Sequence, residues 1–229
     1  MKPEIISYSR ITNNLVSLNG KIISIESSSK DKKICPDDIY RHFNMQYLKF
    51  FKMDNLAKVG FLGAELIFNH LQFDRNNSKK DIAIVCFNRA SSLHDDTIYQ
   101  NTIQDIDNYY PSPSVFVYTL PNIVTGEIAI RNKIEGETSF YVTEKFSPQL
   151  MCEAIENVFT DKTVNGLLCG WADYYQDNCD VLMMYLKRGH DKSVEKNSLI
   201  TEIESLYLDN KIQFLTPRLN EKMSNIHNK

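Results

Sequence analysis

The sequence predicts an α/β domain, a mixed sheet covered by helices on both faces. Three observations carry this. The run DIAIVCFNRA (81–90) is continuously apolar between polar flanks. That is the pattern of a strand buried on both sides, whereas a half-exposed strand alternates. Strand-like and helix-like segments then alternate through the middle of the chain. Finally, the stretch 108–136 is apolar around much of a helical girth, as a helix enclosed within a layered domain would be.

The elements follow in order. EIISYSRI and KIISIES are β-rich runs separated by NNLVSLNG, which predicts a hairpin-like start. The acidic start signal PDD (36–38) predicts a short helix near 37–43. Over 52–73, Leu56, Val59, Gly63, Leu66, Ile67 and His70 share one helical face, with Asp54 or Asn55 as N-cap. Gly60 and Gly63 weaken that helix, and close approach to another element is their expected use. A helix is expected over 95–106. A buried helix is expected over 114–134, with Pro121 in or near its first turn or marking a kink and Glu127 and Arg131 spaced four apart for pairing. TSFYV (138–142) reads as a strand and 147–160 as a helix. The runs 164–175 and 180–188 read as two strands joined by a turn, and 198–208 as a last amphipathic helix. Residues 1–210 form one domain in this reading, and 211–229 a polar tail.

The bulk properties exclude several classes. The 229 residues, 42% hydrophobic and 11% aromatic, suffice for one large globular domain. A net charge of −3 with scattered Lys and Arg argues against nucleic-acid binding. No apolar run approaches eighteen residues, so no membrane span is expected, and the N-terminus lacks the apolar core of a signal peptide. The five cysteines include no CxxC pair, which argues against a disulfide framework or a zinc site and for a reducing cytoplasm. The histidines show no metal-ligand spacing. With no P-loop, GxGxxG or GxSxG motif, no cofactor and no serine-hydrolase chemistry are expected.

Four segments in order resemble the N-terminal half of a β-ketoacyl synthase, a thiolase-fold condensing enzyme. They are KFFKMDNLAKVGFLGAELIF (49–68), IAIVCFN (82–88), PSPSVFVYTLPNIVTGEIAIRNKIEGE (111–137) and AIENVFTDKTVNGLLCGWADYY (154–175). The third carries an Asn122…Gly126…Gly136 spacing similar to the family's long central helix. The likeness spans roughly residues 45–186. It implies a thiolase-like half with a mixed sheet, helices on both faces and a buried central helix. It also implies an acyl-thioester setting, in which an acyl-carrier protein and a catalytic ketosynthase would be partners and exposed apolar surface would be covered by a homo- or heterodimer or by the N- and C-terminal extensions folding over it.

The family's chemistry requires a cysteine where a helix begins after the strand at 138–142, because the helix N-terminus lowers the thiol pKa and offers N–H groups to an oxyanion. Counted from Gly136, that position matches Lys145, with Phe146 as the next choice. Lys145 cannot form a thioester. Cys152 is the weaker substitute, about two turns into the helix, where the dipole has faded. The catalytic histidines of the family come from a C-terminal half that too few residues remain to build. The resemblance therefore implies a non-catalytic, chain-length-factor-type subunit. The alternatives are an independent acyl-thioester enzyme using Cys152 or Lys145, or a free-standing interaction module.

Other candidates have plainer readings. His94, Asp95 and Asp96 follow Ser91 and Ser92 and read as a helix start. Asp173, Tyr174, Tyr175, Asp177 and Asp180 read as a solvated turn without the residues of a calcium loop. Ser147 reads as an N-cap ahead of Pro148, and His70 as a helix-end residue.

Overall fold

The computed structural model describes residues 3–189 and 196–212. Among these, seven strands form one mixed sheet in the order β3-β2-β1-β7-β6-β4-β5. The N-terminal run is a meander of β1 (Pro3–Thr12), β2 (Leu15–Leu18) and β3 (Lys21–Ile23). The central strand β4 (Ile82–Asn88) is buried along its whole length, as its unbroken apolar run requires. It pairs in parallel with both β5 (Thr138–Val142) and β6 (Gly166–Tyr175). The last strand, β7 (Asn178–Arg188), runs antiparallel to both β6 and β1.

Alternation along the strands divides the core into two layers. Ile84, Leu168, Val181 and Met183 face α2 (Asn55–His70) and α5 (Ile123–Asn132), with α1 (Pro36–His42) beyond them. Val85, Leu167, Cys169 and Met184 face the opposite way, toward α6 (Pro148–Val158) and α7 (Lys196–Ile212). The predicted mixed sheet with helices on both faces is thus present, and α2, the most deeply enclosed helix, carries twelve buried residues. Its Asp54 cap accepts from the Leu56 and Ala57 N–H groups at 2.9 and 3.1 Å.

The glycines near 60 and 136 are close-approach positions. A Cβ on Gly60 would stand 2.3 Å from Val124 of α5, and one on Gly136 would stand 2.1 Å from the Ile82 carbonyl oxygen. Gly126, in contrast, faces open space.

Four expectations need correction. The helix expected over 114–134 is two pieces. A short α4 (Pro113–Phe116) continues as a 3-10 turn (Val117–Thr119), and α5 begins only at Ile123. Leu120 is extended between them (φ −110°, ψ 110°), because Pro121 disfavours helical geometry in the residue before it. Much of this stretch is also exposed, including Phe116, Leu120 and Ile130. Glu127 pairs with Lys49 at 2.7 Å, and Arg131 pairs with the buried Glu65 at 3.4 Å, so each charge finds a tertiary partner in place of its helical neighbour. The helix expected at 95–106 is α3 (Leu93–Asn101), which ends sooner. The predicted polar tail lies outside the described residues from 213 onward.

Candidate functional site

The crossover from β5 to β6 places the start of α6 at the carboxyl end of the parallel strands, the usual place for a crevice in an open α/β sheet. Thr143 follows β5 and donates its N–H to the Asn88 carbonyl of β4 at 2.8 Å, which fixes the turn. Lys145 and Phe146 come next, then the Ser147 cap and Pro148 at the first helical position. On the other side, β6 and β7 meet in a tight turn with Gln176 and Asp177 both left-handed (φ 47° and 59°), the two-residue hairpin geometry that matches strand twist.

A cleft of about 480 Å3 opens between these parts. Lys145 and Phe146 line it from the α6 turn and Arg89 from the end of β4. Trp171, Asp173 and Tyr175 line it from β6, Asn178 and Asp180 from β7, and Tyr207 from α7. Phe146 lies flat on Tyr207, with ring centroids 3.7 Å apart, and meets Trp171 edge-on at 5.8 Å. Beneath them, Arg10 of β1 is buried and pairs with Asp180 at 2.6 Å. The Arg10 guanidinium also donates to the Val181 carbonyl at 2.8 Å and lies 4.7 Å from the Tyr207 ring centroid. The Tyr207 hydroxyl donates to Asp180. Burial first, and then the bonded Asp180 carboxylate, raise the Tyr207 phenol above its ordinary range, so it remains a donor.

The structure separates the two residues considered as nucleophiles. Lys145 is exposed at the cleft. Cys152 is fully buried in the layer between α6 and the sheet and does not line the cleft. The head of α6 has few donors left for an oxyanion. Pro148 has no N–H, Leu150 donates to the Ser147 hydroxyl at 3.3 Å, and Met151 donates to the Ser147 carbonyl at 3.1 Å. Ser147 is the predicted cap, and His70 ends α2 in solvent.

The acidic turn is not simply solvated. Asp173 is buried, accepts from the Arg89 and Ala90 N–H groups at 3.1 and 2.9 Å, and lies 3.8 Å from the Arg89 guanidinium. Asp177 accepts from the Tyr174 hydroxyl at 2.9 Å. His94, Asp95 and Asp96 do begin a helix, after Ser92, but Asp95 has a second role. It is buried against Asp54, the α2 cap, on the opposite face of the sheet from the cleft. Burial, the Asp54 charge and their mutual hydrogen bond push the Asp95 carboxyl up to about 8. This acid pair and the Arg10–Asp180–Tyr207 cluster both went unread in the sequence. Each joins residues far apart in the chain, and the nearest local signals were the Asp54 cap and the acidic turn.

Among the described residues no group of three or more potential metal ligands converges, and no helix is long and apolar enough to cross a membrane. The cleft offers aromatic walls, two exposed cations and a buried carboxylate, which suits binding.

This architecture is the thiolase-like ketosynthase fold. The chain is similar to the ishigamide ketosynthase/chain length factor, with TM-score 0.65 and 12% identity over 85% of this chain and 64% of that one. It is also similar to a ketosynthase in complex with its chain length factor from Xenorhabdus doucetiae, with TM-score 0.56 and 13% identity over 82% of this chain and 80% of that one. A β-ketoacyl synthase from Burkholderia phymatum STM815 matches with TM-score 0.54 and 11% identity over 82% of this chain and 59% of that one. This chain thus spans less than two thirds of the first and third of these. No protein-family model and no curated sequence matches it.

Proposed function

We propose that this protein is a non-catalytic, ketosynthase-like accessory subunit of the chain-length-factor type, acting in a fatty-acid or polyketide-type pathway. One observation carries the reading. The turn that opens α6 carries Lys145 and Phe146 ahead of the Ser147 cap, and the count from Gly136 matches this turn to the family's cysteine position in a chain whose fold is like that of a ketosynthase/chain length factor. The donor-poor head of α6 and the burial of Cys152 support it, since acyl transfer needs an accessible thiolate and an oxyanion site together.

The partners in this reading are a cysteine-bearing ketosynthase and an acyl-carrier protein. Strand β5 is an edge of the sheet, and its Tyr141 and Val142 are exposed. Beside it, α5 exposes Ile130. An edge strand with apolar side chains is a template for another chain, so dimerisation is assigned to this edge. The described cysteines form no disulfide, which suits a reducing cytoplasm.

Affinity purification of the tagged protein from its own cell, followed by native mass spectrometry, tests the reading. A stoichiometric complex with a cysteine-bearing ketosynthase is expected. A homodimer or monomer that recruits neither ketosynthase nor carrier protein would leave a free-standing interaction module.

A further inference from the structure

Tyr207 is held as a bound ligand would be held. Its ring is stacked by Phe146 at 3.7 Å with the planes 9° apart, which fills one face. The Arg10 guanidinium, 4.7 Å from the ring centroid, must then cover the other face. The hydroxyl donates to Asp180, a carboxylate itself fixed by Arg10 at 2.6 Å. These holding groups come from β1, β7 and the α6 turn, while the ring they hold comes from α7. Two exposed cations line the same cleft, Lys145 and Arg89, the latter 3.8 Å from the Asp173 carboxylate. Trp171 lines the same cleft, and its indole N–H is buried with no hydrogen-bond partner among the described residues.

We propose that the cleft is a binding site for small phenols carrying an anionic group, and that Tyr207 occupies its phenol end in this structure. Such a ligand has its ring between Phe146 and Arg10, its hydroxyl on Asp180 and its anion toward Lys145 and Arg89. Helix α7 is then a competing internal occupant, and ligand binding displaces Tyr207. The proposal is independent of the accessory-subunit reading, and either can fail alone.

Trp171 is the sole tryptophan of the chain, so its emission reports on the cleft. The experiment titrates 4-hydroxyphenylacetate into the full-length protein and its Tyr207→Ala variant. Saturable change is expected in the variant, with wild type weaker by about tenfold or more, the scale of a lost hydrogen bond to a charged group. Adding Asp180→Asn to Tyr207→Ala, or replacing the probe with phenylacetate, should each weaken binding by about the same factor. No saturable change in the folded variant overturns the proposal, as does equal affinity for phenylacetate. Equal affinity of wild type and variant overturns the role of Tyr207. Should Tyr207→Ala fail to fold by circular dichroism, Tyr207→Phe replaces it, since it keeps the stack and loses only the bond to Asp180. Tighter binding than wild type then supports the proposal, and unchanged binding overturns it.

Discussion

At the scale of single residues, the Asp54–Asp95 pair gives the clearest prediction. In the unfolded chain both carboxyls titrate from the ordinary value of 3.8, whereas in the fold Asp95 keeps its proton up to about 8. Between those values the folded state binds more protons than the unfolded one, so raising the pH through the window favours unfolding. Asp54 is raised too and acts in the same direction. Stability is therefore expected to fall as pH climbs across that window, and Asp95→Asn should flatten the fall. Thermal unfolding of both proteins across the window checks this, and parallel curves would contradict it. The buried Glu65 is a contrasting case. It is clamped by Arg75 at 3.0 Å and Arg131 at 3.4 Å, so its charge is matched and joins α2 to α5.

At the scale of elements, close packing of α2 on α5 depends on Gly60. Gly60→Ala gains helix propensity of about 1 kcal/mol. It also drives a methyl into Val124, whose stiff β-branched side chain cannot turn away. Overpacking of this kind costs about 1–3 kcal/mol, so a net loss in urea unfolding is expected. Val124→Ala in the same chain should cost less than the sum of the two single changes, and strict additivity would argue against the contact. The same elements show what the sequence made legible. Strand β4, the caps of α2 and α6 and the β6–β7 hairpin were readable because each rests on a local pattern: an apolar run, a capping residue before a helix, a turn between strands. At Pro121 a first-turn place or a kink was readable, but not the full separation of α4 from α5, because the apolar residues on both sides sustain a helical period across it. The walls of the cleft were partly readable, through Lys145 and Phe146. Its floor was not, since Arg10, Asp180 and Tyr207 come from opposite ends of the chain and leave no local pattern.

At the scale of the whole molecule, two helical layers cover one sheet, and the resemblance implied exposed apolar surface for a partner to cover. On the side of α2 and α5, the 114–134 stretch is only partly covered. The opposite layer is instead closed by α7, whose Leu199 and Ile203 are buried in the core that α6 begins. Exposed apolar side chains remain on the 114–134 stretch, at Phe116, Leu120 and Ile130, and on the edge strand β5, at Tyr141 and Val142. A lysine on such an edge blocks strand pairing. Tyr141→Lys is expected to shift an assembled protein toward monomer in sedimentation velocity, and unchanged assembly would move the interface elsewhere.

The proposal's central point is that this ketosynthase-like fold forms no acyl-enzyme. The most direct measurement is intact mass after incubation with an acyl-carrier thioester, with a cysteine-bearing ketosynthase as positive control. The account predicts an acyl adduct on the ketosynthase and an unchanged mass for this protein. A stoichiometric adduct mapped to Cys152 or Lys145 would contradict it and make the chain an acyl-transfer enzyme in its own right.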